Sequence, residues 1–152
     1  MELGSIEREL YIEASPEVVF EVVSKPEHVA QWWPDDARYD PVPGSVGELR
    51  FGDRDTGHAV AFTVVEAEAP RRFSFRWTQP AGEPAAVGNS LLVTFDLVPS
   101  GDGTLVKFSE TGFRERGWEA AVLEHEYQDH TTGWDHFLPR LAPYIATLAA
   151  RP

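Results

Sequence analysis

Residues 133–148 read GWDHFLPRLAPYIATL, and this stretch limits the chain's folding options more than any other. Trp134, Phe137, Leu138, Leu141, Ile145 and Leu148 recur at spacings of three and four, which places all six side chains on one stripe of an α-helix. Burying such a stripe is worth about 10 kcal/mol in gross terms, against about 3 kcal/mol for each interior proline. The helical pattern therefore outweighs Pro139 and Pro143, both of which point away from the stripe. Two readings fit. One is a long curved helix lying across a sheet; the other is a break at Leu138 with Pro139 opening a second helix. Either way the stripe needs a partner surface.

The remaining pattern supplies that surface. Residues 5–13 alternate, with Ile6, Arg8, Leu10 and Ile12 on one face, as a half-buried strand does. Ser15, Pro16 and Glu17 then provide an N-cap, a first-turn proline and an acid at the positive helix end. A short helix over the following valines is expected, and a second over residues 28–33, ending before Pro34. Residues 35–45 are polar and carry Pro41, Pro43 and Gly44, so they read as a loop. Strands are expected at 46–51, 58–68, 71–78, 90–98 and 104–113, with turns at 52–57, around Ala69 and Pro70, and at 99–103. Residues 79–89 form a Pro/Gly/Ala loop. About six strands joined by tight turns imply an antiparallel sheet, and helices segregated from it imply an α+β fold.

A chain of 152 residues is one domain's length, residues 1–152, and can bury a core without staples. It contains no cysteine, which removes disulfides, thiolate metal ligands and a thiol nucleophile and fits a reducing cytoplasm. No basic segment leads into an apolar run and no 18 apolar residues stand together, so neither export nor a membrane span is expected. A formal charge of −12, with only 13 scattered Lys and Arg, repels phosphate backbones, so no nucleic-acid partner is expected.

Strand parity turns Leu49, Phe51, Phe62, Phe73, Phe75, Trp77, Phe95 and Phe108 toward the helix. Trp33 would stand at the mouth of the space between, with Trp134 and Phe137 on the helix side. So many rings in one layer interdigitate less completely than aliphatic side chains, which permits a ligand cavity; simple filling of the interior is the alternative. Glu110 shares parity with Val106 and Phe108 and would point inward, where a carboxylate must pair, bind a ligand donor or be protonated. A bulge returning it to solvent is the other option. His130 extends the inner stripe if the helix starts that early, either as a polar ligand contact, as an acid/base or as a satisfied structural group. Glu66 and Arg76 carry no parity signal that chooses a side.

His125, Asp129 and His136 share a helical face, but it lies opposite Trp134 and reads as a solvated surface, so no metal is expected. No HExxH, GxxxxGK[ST], GxGxxG or GxSxG occurs, no cofactor is implied, and nothing in the residues announces an enzyme.

Four segments carry a family resemblance: SPEVVFEVVSKPEHVAQWW, EAEAPRRFSFRW, SLLVTFDLVPSGDGTLVKFSETGF and GWDHFLPRL. Together and in this order they resemble the bacterial homologues of the activator of the heat-shock protein ninety ATPase, within the START-like (SRPBCC) superfamily. The resemblance implies a helix-grip fold, in which a curved antiparallel sheet grips a long C-terminal helix, with two short helices at one end and an elongated cavity between. It also implies a role in the stress response and a chaperone or client protein as partner, and it is compatible with a homodimer. Superfamily members bind apolar molecules, and some branches are cyclases or hydrolases, so the fold alone does not fix the function. Where relatives often carry a histidine before the Ser/Thr-Gly-Phe motif, this chain has Glu110.

The resulting expectation is a non-catalytic cytoplasmic protein that binds a small apolar or aromatic ligand through Trp33, Phe51, Phe62, Phe75, Trp77, Phe95, Phe108, Glu110, His130, Trp134 and Phe137. The rivals are a chaperone-docking module, and an enzyme using Glu110 or His130 as acid/base.

Overall fold

The computed structural model describes residues 4–52 and 57–149. Its strands are β1 (Ser5–Ile12), β2 (Asp36–Arg38), β3 (Val46–Phe51), β4 (His58–Glu68), β5 (Arg72–Trp77), β6 (Leu91–Ser100) and β7 (Gly103–Thr111). Its helices are α1 (Pro16–Ser24), α2 (Pro26–Trp32), α3 (Ala120–Phe137) and α4 (Leu141–Ala149). The strands form one sheet in the order β1-β7-β6-β5-β4-β3-β2, antiparallel at every pairing. This is the helix-grip arrangement, with the C-terminal helices lying across a curved sheet and the α1–α2 pair closing one end.

The α1 N-terminus forms as its sequence dictates. The Ser15 side chain accepts a hydrogen bond from the Val18 amide, and Pro16 opens the helix where its missing N–H costs nothing. Val19, Val22 and Val23 face the core, and the Trp32 indole of α2 donates to the Val22 carbonyl at 3.0 Å, locking the two short helices together.

Two expectations are corrected and one ambiguous position is explained. The region read as a loop over residues 35–45 contains β2, a short strand whose pairing with β3 is fixed by register rather than by any propensity of Asp36–Arg38. The C-terminal helix follows the second of its two readings, a break at Leu138, though the helix beyond the break opens at Leu141 rather than at Pro139, and it extends well before residue 133. It starts at Ala120, tightens into a 3-10 turn at Leu138–Arg140 and resumes as α4. Pro139 lacks the N–H that an α-helical turn needs there, and the 3-10 turn accommodates the loss. Finally, β4 carries a bulge between Val64 and Glu66, which leaves Val65 exposed while Phe62 and Val64 point inward; this is why Glu66 shows no clear parity. The expected turn at 52–57 lies for the most part outside the described residues.

The core sits between the inner sheet face and the helices. Trp134, Leu138, Leu141 and Ile145 of the C-terminal stripe are buried against Phe75, Phe95, Phe108 and the α1 valines, while Phe137 and Leu148 are half-buried at its edges. At the β1 edge Arg8 reaches up to α3 and donates to both carboxylate oxygens of Asp135, at 2.8 and 3.2 Å. Both partners are partly exposed, so this clasp contributes at most about 1 kcal/mol. No helix among the described residues is long and apolar enough to cross a membrane.

Candidate functional site

Glu110 lies on β7 opposite Val93 of β6 and Ile6 of β1, with its side chain on the inner face and no exposure to solvent. The strand runs on without a bulge there, so nothing returns it to water. A buried carboxylate without partners would be prohibitively costly. Three donors meet it instead. Trp77 Nε1–H donates to Oε2 at 2.6 Å, and Trp134 Nε1–H and His130 Nδ1 both lie 2.8 Å from Oε1. One acceptor thus ties together β5, β7 and α3. Because a carboxylate can only accept, His130 Nδ1 carries the proton in this contact, which leaves Nε2 as the nitrogen without a hydrogen-bond partner. Glu126 Oε2 stands 3.9 Å from Nε2, beyond hydrogen-bond reach. Burial alone would lower the His130 pKa, but the Glu110 hydrogen bond and charge, joined by the charges of Glu126 and Asp129, outweigh it and hold the imidazole above its ordinary value.

Beside this cluster opens a cavity of about 120 Å³, lined by Trp33, Phe51, Trp77, Asp129, His130, Gly133, Trp134 and Phe137. Trp33, reaching in from the end of α2, is its hub. Its ring centroid lies 4.9 Å from that of Trp77, 4.7 Å from Trp134 and 5.9 Å from Phe51. These rings are mutually inclined rather than stacked, at 70°, 41° and 67°. Gly133 contributes to the void directly, since a Cβ built on it meets nothing within 4 Å.

Of the residues singled out from the sequence, Trp33, Phe51, Trp77, His130, Trp134 and Phe137 come together around this space, with Glu110 immediately behind it. Phe62, Phe75, Phe95 and Phe108 do not. Phe62 and Phe75 stack at 4.3 Å, Phe95 and Phe108 meet edge to face at 5.3 Å, and the gap among Val23, Trp32, Phe62, Phe73, Phe75 and Phe95 has no room for a water molecule. Among the described residues, the elongated cavity implied by the resemblance is therefore represented by a short space at the Trp33 end. Asp129 was placed on the outer face with His125 and His136; all three are exposed, but Asp129 also forms part of the cavity rim. Among the described residues no three His, Asp or Glu side chains are placed to hold a metal ion. A roomier hollow of about 520 Å³ lies among Glu7, Glu9, Asp96, Lys107 and Ser109, but it is an open, charged groove of the sheet surface rather than an apolar site.

Missed in the sequence were Gly133 and the rim position of Asp129. The stripe itself was visible, with Leu123, Tyr127, His130 and Trp134 at spacings of four, three and four, but at about 100° per residue Asp129 and Gly133 fall off its centre rather than on it.

The profile of the family described as "Activator of Hsp90 ATPase homolog 1-like protein" matches residues 13–146, most of the chain. The chain belongs to this family. Solved structures agree on the fold. Protein MLL2253 from Mesorhizobium loti superposes with a TM-score of 0.75 at 20% identity, over 94% of this chain and 97% of that one. The Aha1 dimer from Colwellia psychrerythraea gives 0.70 at 22% identity, over 93% and 95%. DynU16, described as a putative protein in the dynemicin biosynthetic locus, gives 0.72 at 25% identity, over 95% of this chain and 48% of that one. No curated protein matches the sequence. At these identities the structural likeness speaks for the fold alone.

Proposed function

We infer that this family member is a non-catalytic binding protein that takes a compact apolar or aromatic ligand between Trp33, Phe51 and Trp77 on one side and the 129–137 segment of α3 on the other. The observation that carries this reading is the ring-lined cavity of about 120 Å³ beside a fully satisfied buried carboxylate. Sites for larger organic molecules measure about 300–1,000 Å³, whereas an apolar cavity of about 150 Å³ takes benzene. The size thus favours a ligand, or a ligand head, no bigger than one small ring. With both oxygens engaged by Trp77, Trp134 and His130, Glu110 serves as the post on which the cavity walls are fixed rather than as a reacting group. Titration with toluene and benzyl alcohol, followed through tryptophan emission and the indole N–H resonances of Trp77 and Trp134, is expected to saturate. Strictly linear, non-saturating responses to both would overturn the reading.

The family description favours a second reading, a chaperone-associated module in the cytoplasm acting in the stress response, with its acidic surface meeting a basic region of an ATPase or client. The Aha1 relative is described as a dimer, and a homodimer here belongs to the same reading. Calorimetry against a heat-shock protein ninety chaperone at low salt, and light scattering of the protein alone, test it; no heat of binding and a monomeric mass would remove both parts.

A further inference from the structure

The cavity's walls are chemically one-sided. Trp33, Phe51, Trp77, Trp134 and Phe137 supply rings, and no Lys or Arg is among the lining residues. The Trp77 and Trp134 N–H groups are both committed to Glu110, which does not line the cavity, so these indoles offer it carbon rather than donors. Donation to a carboxylate also pushes electron density into the indole, and a richer ring holds a cation more strongly over its face. The charged groups around the rim have the matching sign. Asp129 lies on the rim, Glu126 stands 3.9 Å from His130 Nε2, and any positive charge on His130 is offset by Glu110 at 2.8 Å. The local balance is negative whichever protonation state His130 adopts, and the chain's formal charge of −12 reinforces it at longer range. Among the described residues, the one cavity ring with a cation of the protein over it is Phe137, under the guanidinium of Arg140 at 5.8 Å.

We propose that the head group this cavity selects is a methylated ammonium, a compact cation with an apolar surface, held by the Trp33, Trp77 and Trp134 rings and drawn in by the Asp129 carboxylate. Such an ion fits a space sized for one ring, needs no hydrogen-bond donor from the protein, and gains from the ring quadrupoles what a neutral group of the same shape does not. A primary ammonium is more strongly hydrated than a methylated one and gives up more on entering a ring-lined space, and an anion would meet Asp129 and Glu126 unpaired. The proposal rests on the cavity being a ligand site, and it names the chemistry of that ligand.

The test is an isosteric pair, choline and 3,3-dimethylbutan-1-ol, which differ in the charge of an otherwise similar trimethyl head. Each is titrated into the full chain by calorimetry and by the indole N–H resonances of Trp77 and Trp134. Choline is expected to bind about tenfold more tightly, the order that a partly desolvated cation–ring contact supplies. Asp129→Asn, an exposed position that leaves the core untouched, is expected to weaken choline several-fold and the alcohol hardly at all. Equal affinities for the pair would overturn the ammonium assignment while leaving the cavity a binding site. Saturation by neither of them, nor by toluene, would overturn the ligand site itself.

Discussion

The aromatic layer has two ends built from the same kind of residue, and they behave differently. At the inner end Phe62, Phe73, Phe75 and Phe95 mesh with Val23, Val29 and Trp32 until no room for water remains. At the outer end Trp33, Phe51, Trp77, Trp134 and Phe137 leave about 120 Å³ open. Ring content alone does not account for the difference. The inner end has aliphatic side chains, Val23 and Val29, to fill the wedges between rings. At the outer end two indoles are held in place by Glu110, Trp33 sits where α2 terminates, and the helix face opposite carries Gly133 in place of a side chain. The cavity persists where two indoles are tied to one carboxylate and the facing helix offers no side chain to fill the gap between them.

The largest effect that could break this contrast is a truncation at the packed end. Phe75→Ala is expected to destabilise the protein by about 3–5 kcal/mol in urea unfolding, against about 1 kcal/mol or less for Phe137→Ala at the half-exposed rim. Equal costs would mean that the two ends are packed alike. Next comes Glu110→Gln, which keeps the shape but turns one acceptor oxygen into a donor facing N–H groups. A loss of about 1–3 kcal/mol is expected, with displaced indole resonances for Trp77 and Trp134; unmoved resonances would show that the carboxylate does not hold the rings.

A smaller and pH-dependent effect belongs to His130. Its pKa is raised in the folded protein, so folding takes up a proton. The stabilisation is fully present below the unfolded value of about 6.5 and is lost as pH rises through the folded value. Unfolding free energy is therefore expected to fall above about pH 6.5 in the parent, and less steeply in His130→Gln; identical pH slopes would remove His130 from the cluster. Smallest is Gly133→Ala. Its Cβ enters open space, so the helix gains up to about 1 kcal/mol, while Gly133→Leu fills the cavity and is expected to abolish toluene binding without unfolding the protein.

Much of this architecture was legible in the sequence because period-two alternation is unambiguous where rings alternate with polar groups. Phe73, Phe75 and Trp77 fixed the inner face of β5, and the same parity turned Glu110 inward. What was not legible depends on distances between elements. Whether Phe62 and Phe75 stack or stand apart is decided by sheet curvature, which no local pattern encodes. The extent of α3 was hidden because Trp134 is its sole fully buried residue among the described positions, so its first turns look like a polar linker. β2 was hidden because its partner strand creates it. The partners of Glu110 come from β5 and α3, separated from it in sequence by 33 residues for Trp77, 24 for Trp134 and 20 for His130, and only the fold brings them to one oxygen pair.

The 3-10 turn at Leu138–Arg140 has a mechanical consequence. Pro139 and Pro143 each lack the amide hydrogen that would fasten one helical turn to the next, so the C-terminal rod is weakest where α3 meets α4. α4 is anchored against the valines of α1 and by the Tyr144 hydroxyl at 2.7 Å from His28, whereas α3 is fastened to the sheet chiefly through Trp134, His130, Tyr127 and the Arg8 clasp. The C-terminal segment is thus held as two separately fastened pieces rather than as one continuous rod.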